Sequence, residues 1–318
     1  MREIGVSICI PCFNSGERIY ATLEHLQHQE VPDGFPWEVV VVDNASTDDI
    51  DNVAYAIWRH NEATDLRIVH EPKAGLANAR LRAFEESQYE FVVFVDDDNW
   101  LSEDWMATLY EFMVGHPDVG AYGTKSVAHF GAPKPSWFDD YAVLFAVSPP
   151  DWKSEDVTEA RGYLWGAGLT VRYSAWSELK AKGFQFLCTG RIGRSLVGGE
   201  EVELCMALKD AGWRLYYNAE VSLVHYMPAA RLQEAYLLRL IQGINRSNVL
   251  LERRRGWYGP EGIATGIRSG RLWQTGAAIK AFFIATLKRG LGKKSVGTRA
   301  SQFGALGRLA GFIEIKNH

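Results

Sequence analysis

Phe91-Val92-Val93-Phe94-Val95-Asp96-Asp97-Asp98-Asn99 joins five apolar residues directly to three consecutive carboxylates. A short continuous run of β-branched and aromatic residues reads as a strand covered on both faces, as in a parallel sheet. Packing gives such a strand no reason to end in three mutually repelling acids. Either a solvated loop uses them to start a helix, or a bound cation compensates their charge. Working outward, the run Glu38 to Val42 ends in the same manner, on Asp43. Ligands of open α/β sheets sit at the carboxyl ends of the strands, so the two acidic strand ends mark one candidate site.

The surrounding sequence repeats this alternation. Val6 to Ile10, Leu66 to His70 and Val119 to Thr124 are further strands, and amphipathic stretches near Glu17 to Gln29, Ile50 to Asn61, Gly75 to Ser87 and Ser102 to Gly115 are helices. Ser102 with Glu103 and Asp104 has the character of a helix start. The pattern is that of an α/β fold with a mostly parallel, Rossmann-like sheet flanked by helices. Gly131 to Arg161 is rich in Pro and Trp without a sustained period and reads as a long functional loop. Tyr163 to Arg172, a helix near Tyr173 to Lys182, the Gly-rich piece Gly190 to Gly199, the helix Glu200 to Ala211 and two short strands, Arg214 to Tyr217 and Val221 to His225, complete this part.

Charge divides the chain. Residues 1–228 carry 18 Lys and Arg against 35 Asp and Glu, whereas residues 229–318 carry 16 against 4, a balance of −17 followed by +12. This organisation suggests one domain over 1–228, dividing near residue 125 where the regular alternation ends, then a helical basic region over 229–318. Within the basic region, Trp273, Phe282, Phe283, Ile284 and Leu287 flanked by Arg271, Lys280, Lys288 and Arg289 suit an amphipathic helix on an anionic membrane surface. A helix packed on the catalytic domain is the alternative. No apolar run reaches the roughly 20 residues of a spanning helix. With four cysteines and no basic and apolar leader, the expected location is cytoplasmic, peripheral on the inner face of the cell membrane. Cys9 and Cys12 lie in and just after a strand and read as packing thiols. No groove-reading motif accompanies the basic charge, so nucleic acid is not an expected partner.

Three further features carry chemistry. Glu200 and Glu201 open a helix behind Gly198-Gly199, where acids either compensate the helix dipole or act on a substrate. His225 ends a strand 24 residues after Glu201. Trp165 stands among Gly166, Ala167 and Gly168, where an indole face has room to stack on a ligand, although core tryptophans are as common. Trp100, just past the acids, is a second candidate of this kind.

Taken in order, Ile10-Pro11-Cys12-Phe13-Asn14, Val42-Asp43-Asn44-Ala45-Ser46-Thr47-Asp48, Gly75-Leu76-Ala77 with Arg80, Asp96-Asp97-Asp98, and Gly199-Glu200-Glu201 with Glu203-Leu204 resemble the family 2 glycosyltransferases of the GT-A fold, over about residues 4–228. The resemblance implies a catalytic domain over 1–228 with a nucleotide-binding half (1–125) and an acceptor half (126–228), a nucleotide-sugar donor, of the UDP type in the usual case, and inverting transfer to an acceptor hydroxyl on a glycan or lipid-linked glycan, with Trp165 and Trp100 as acceptor-site candidates. It implies that Asp43 accepts a hydrogen bond from the nucleobase and that Pro11, Asn14, Arg80, Asp96 and Asp97 border the nucleotide. Asp98, with Asp96 or His225, would hold Mn²⁺ or Mg²⁺, ions that favour hard ligands. The family places Glu-Asp where this chain has Glu200-Glu201, so Glu201 takes the place of the general base with one extra methylene.

A nicotinamide dehydrogenase is excluded by the absence of a G-x-G-x-x-G turn after the first strand. A pyrophosphorylase-type nucleotidyltransferase would need an N-terminal Gly- and Lys/Arg-rich triphosphate loop, which is also absent. A non-catalytic nucleotide-sugar-binding module would keep Asp43 and Asp98 but have no need of Glu201.

Overall fold

The computed structural model describes residues 2–59, 61, 64–191, 196–254, 278, 280–282, 284–285 and 295–316. Its sheet begins with β1 (Glu3–Cys12), β2 (Trp37–Asp43), β3 (Leu66–His70) and β4 (Tyr89–Phe94), all parallel, in the spatial order β3-β2-β1-β4. β1, β2 and β4 are buried on both faces along their continuous apolar runs, while the edge strand β3 leaves His70 exposed. Ile8, Ile10, Val39, Val41, Phe91 and Val93 enter one core layer, while Cys9, Val40, Val42, Val92 and Phe94 enter the other. The period of two along a strand makes this division. It also sends Cys9 and Cys12 to opposite faces, and both thiols are buried and free.

Helices close both faces. α1 (Ile19–Gln27), α2 (Ile50–Trp58) and α4 (Trp105–Gly115) cover the first layer with Leu23, Ala54 and Leu109. α3 (Leu76–Glu86), α6 (Tyr173–Ala181) and α7 (Glu200–Asp210) cover the second, where Phe84 stacks on Trp176 at 4.3 Å. Burial of each such large side chain contributes about 1.5–3 kcal/mol. Ser102 bonds Asp104 instead of capping, and α4 starts at Trp105.

The other half of the sheet is mixed. β6 (Val119–Phe130) and β9 (Arg214–Met227) form a long parallel pair, and β8 (Leu169–Arg172) joins β6 to β4 in antiparallel fashion. The two short strands expected between 214 and 225 are thus one strand. A three-residue strand, β5 (Asn99–Leu101), was hidden behind the acids and pairs antiparallel with β9, placing Asn99 opposite His225. The stretch expected as a loop contains α5 (Phe138–Tyr141), a 3-10 turn (Ala142–Phe145) and β7 (Glu155–Asp156), which pairs with β9.

Beyond residue 228, α8 (Glu234–Arg254) and the terminal helix α9 (Val296–Lys316) pack together. Glycines permit the close approach: a Cβ on Gly307 would run into the Gln242 carbonyl, and one on Gly311 would meet Val249 Cβ at 2.8 Å. Arg299 pairs with Glu234 and Arg308 with Glu252 across the two helices. Part of the basic charge is therefore used inside the molecule. Trp273, Phe283 and Leu287, on which the membrane-facing helix was to depend, lie outside the described residues. Among the described residues no helix is long and apolar enough to cross a membrane.

Candidate active site

Strand β1 has β2 on one side and β4 on the other, so the chain reverses its direction of travel across the sheet at the β1–β4 boundary. The loops leaving the carboxyl ends of two such strands diverge and leave a crevice. A cleft of about 930 Å³ opens there. Pro11 and Cys12 end β1 and Phe13 follows it, Asp96 to Asp98 follow β4, and Glu200 and Glu201 begin α7, so that residues far apart in sequence share one cavity. Arg80, Trp165 and His225 also line it.

The three aspartates differ in environment. Asp97 faces the α1 side, where Ser15 Oγ donates to it and Arg18 Nη2 lies 2.5 Å away. Asp98 is almost fully buried; Arg231 Nη2 lies 2.5 Å from its Oδ2, and His225 Nε2 lies 3.5 Å from its Oδ1. Burial and the neighbouring Asp98 push Asp96 and Asp97 up from the ordinary carboxylate value. Burial works the same way on Asp98, but Arg231 and His225 outweigh it and hold that carboxyl low. Burial pushes His225 down, against the pull of Asp98. A neutral imidazole can therefore accept the Arg231 Nη1 hydrogen at 2.9 Å.

Also lining the cleft, α7 begins after Gly199, whose φ of +97° suits glycine. Glu200 is 1% exposed, whereas the Glu201 side chain is 21% exposed. Arg80, itself buried, sends Nη1 to 3.3 Å from Glu200 and 3.9 Å from Glu201. Gly166 makes this possible, since a Cβ there would collide with the guanidinium. Burial, with Glu201 alongside, pushes Glu200 up to about 7. Glu203 faces away from the cleft and accepts from the amides of Leu187 and Cys188 while pairing with Arg254 at 2.5 Å, which ties the preceding loop to α7 and α8.

Asn14, Asp43 and Trp100 are not among the lining residues. Asn14, at a φ of +51°, accepts from the Thr47 amide at 2.8 Å, so it staples the β1 loop to the β2 loop. Asp43 accepts from the Ser46 amide at 2.9 Å and pairs with His70 at 3.1 Å. Burial opposes its ionisation, but these partners lower its pKa overall. The neighbouring Asn44 does line the cleft, with its side chain bonded to Glu71, Lys73 and Gly75. Trp100 is held in an aromatic cluster, stacked on His25 at 5.7 Å and on Tyr226 at 5.4 Å. Trp165 does reach the cleft, backed by Trp152 at 4.9 Å.

Sequence reading missed Arg18, Arg161, Arg191 and Arg231, together with the wall formed by Val143 to Ala146 and by Tyr236, Leu240, Ile244 and Leu251 of α8. The stretch expected to begin a separate basic region thus supplies part of the cleft. No local periodicity announces these residues; Arg231, six positions beyond His225, is brought in by the turn after β9.

As a donor set for a divalent ion, Asp98 and His225 fit: one ionised oxygen and one neutral nitrogen, 3.5 Å apart, with His225 Nδ1 lacking a hydrogen-bond partner among the described residues. The expected trio does not close, because Asp96 does not join them in a three-ligand group and Arg231 stands beside both. Among the described residues, the three-ligand spacing is met instead at Asp43, Asp51 and His70, on the more exposed rim.

Known proteins give this geometry its class. Residues 7–156 match the family described as "Glycosyl transferase family 2". The succinoglycan biosynthesis protein ExoM of Rhizobium meliloti (strain 1021) is 27% identical over 277 residues, covering 84% of this chain and 81% of ExoM. Among solved structures, mannosyltransferase PcManGT from Pyrobaculum calidifontis, in complex with GDP-Man and Mn²⁺, superposes with a TM-score of 0.61 at 20% identity, covering 98% of this chain and 87% of that one. TarS 1-349 of S. aureus, in complex with UDP-GlcNAc, gives a TM-score of 0.55 at 16% identity, covering 98% and 92%. The fold is the GT-A fold. Over residues 7–156, just under half of its length, the chain is similar to glycosyl transferase family 2.

Proposed function

We propose that this chain is an inverting glycosyltransferase that moves a sugar from a nucleoside diphosphate, of the UDP type, to a hydroxyl of a glycan or lipid-linked glycan. The observation carrying the reading is that the Asp96 to Asp98 turn and the partly exposed Glu201 carboxylate line one cleft. An acid at a helix start needs no place in such a cleft if it only compensates a dipole, and a module that merely binds the donor does not need Glu201.

The nucleoside lies along Pro11, Asn44 and Gly75 to Ala79, with Asp43 set back at the rim. The diphosphate lies toward Asp98, where Arg18, Arg191 and Arg231 supply positive charge. Asp98 and His225, with Asp96 close by, would hold Mn²⁺ or Mg²⁺, which when bound supplies Lewis-acid stabilisation of the departing diphosphate. Trp165 offers an apolar face to the acceptor sugar. The acceptor oxygen forms its bond to the anomeric carbon as the bond to the diphosphate breaks. The bonding pair leaves with the nucleotide, and the acceptor proton passes to Glu201. Arg80 and the buried Glu200 hold Glu201 in the cleft. The positive balance after residue 228 supports presentation of the acceptor at an anionic membrane surface.

PcManGT and TarS share the fold while their structures hold GDP-Man and UDP-GlcNAc respectively, so comparing UDP with GDP binding tests the nucleotide assignment. The test of the catalytic assignment is Glu201→Gln. Donor binding by calorimetry should be retained while turnover falls by about 10² or more, the scale for losing a general base. Unchanged turnover would remove Glu201 from the mechanism.

A further inference from the structure

The Arg231 guanidinium makes two contacts that a bound cation at this place would also need. Nη2 is 2.5 Å from Asp98 Oδ2, and Nη1 is 2.9 Å from His225 Nε2. Asn99 Nδ2 donates to the remaining carboxylate oxygen, Oδ1, at 3.1 Å. The guanidinium is therefore the counter-charge of a carboxylate whose side chain is 1% exposed. Its backbone is fixed independently of these contacts: the Arg231 amide donates to Pro228 O at 2.8 Å and the Leu232 amide to Ala229 O at 3.2 Å. The side chain can consequently leave Asp98 by rotation alone, into a cleft that it already lines.

We propose that Arg231 is a resident cation that exchanges with the divalent ion: the ion takes Asp98 and His225 only when the guanidinium gives them up, and the released guanidinium turns to the donor diphosphate. Like charges cannot share the two ligands, and the released arginine needs an anion in place of Asp98. The nucleoside diphosphate supplies that anion, so ion and donor enter together. Ion alone meets an occupied site. This rests on the metal-assisted reading of the cleft, and it makes Arg231 a positioning residue that couples metal binding to donor binding.

Manganese binding, followed by the electron paramagnetic resonance of free Mn²⁺, reads the exchange without turnover. A guanidinium seated nine-tenths of the time weakens Mn²⁺ binding roughly tenfold. Arg231→Gln should therefore bind Mn²⁺ alone roughly tenfold more tightly than the wild type, and added UDP should strengthen Mn²⁺ binding less in the variant than in the wild type. Equal Mn²⁺ affinity of the two proteins without UDP overturns the exchange while leaving the metal reading intact. No Mn²⁺ binding by either protein, with or without UDP, overturns both. A measurement on the wild type guards against a variant that does not fold. The Arg231 guanidinium signals in arginine side-chain NMR should shift on addition of Mg²⁺ and UDP together but hardly on addition of Mg²⁺ alone, and unchanged signals with both present also overturn the proposal.

Discussion

Glu200→Gln tests whether the buried acid beside the proposed base is held protonated by the fold. The carboxyl is 1% exposed, and burial followed by the charge of Glu201 raises its pKa from 4.5 to about 7, with Arg80 opposing. The folded protein keeps this proton at pH values where the unfolded chain has released it. The associated stability is therefore complete below pH 4.5 and is lost as the pH rises toward 7. The interval corresponds to about 3 kcal/mol. Glutamine has nearly the shape of the protonated acid and does not titrate. Urea unfolding should find the two proteins alike at pH 4.5 and the variant more stable by about 3 kcal/mol at pH 8. A difference that stays constant across this range would refute the reasoning, because an Arg80–Glu200 pair ionised throughout would lose the same free energy at every pH.

The remaining predictions concern the ligands. Chelation is expected to weaken UDP binding by roughly tenfold or more, about 1.4 kcal/mol, and Asp98→Ala should reproduce that weak binding with Mn²⁺ present. Equal UDP affinity with and without chelator, measured calorimetrically, would remove the metal from the donor site. Trp165→Ala should raise the acceptor KM by about 2–10-fold, corresponding to a stacking contribution of about 0.5–1.5 kcal/mol, while leaving UDP affinity unchanged. An equal loss of UDP affinity would mean that the indole serves the donor instead.

What could be read from the sequence was whatever a single element declares. Val92 and Val93 take opposite faces of β4 because of the strand period, and an unbroken apolar run therefore announces a strand buried on both sides. Asp96 to Asp98 and Glu200-Glu201 were visible for a related reason: charge abruptly replaces apolar sequence at the end of an element, and these ends bound the cleft. Trp100 followed the acids just as closely and was read as a candidate for that proximity. Three residues are too few to reveal the period of β5, and its pairing with β9 places Trp100 opposite Val224, in contact with Tyr226 and His25. The same pairing brings His225 to Asp98, as the metal reading expected, so one undetected strand accounts both for the place of Trp100 outside the cleft lining and for the His225–Asp98 contact.

Arg231 depends on longer-range geometry. Its place beside Asp98 requires the β4 end, the β5–β9 register and the turn at Pro228 to be assembled together, and none of these is encoded within reach of the arginine. A charge count assigned it to a basic tail, although its partner lies 133 positions away in the acidic part (231 − 98). Arg254 with Glu203 repeats the arrangement, joining α8 to α7 beneath the cleft. The −17 and +12 halves thus describe, in part, two sides of the same site: cations carried past residue 228 return to neutralise buried acids that would otherwise repel a diphosphate. A charge asymmetry along a chain is evidence for an external anionic partner only after its internal pairs have been removed.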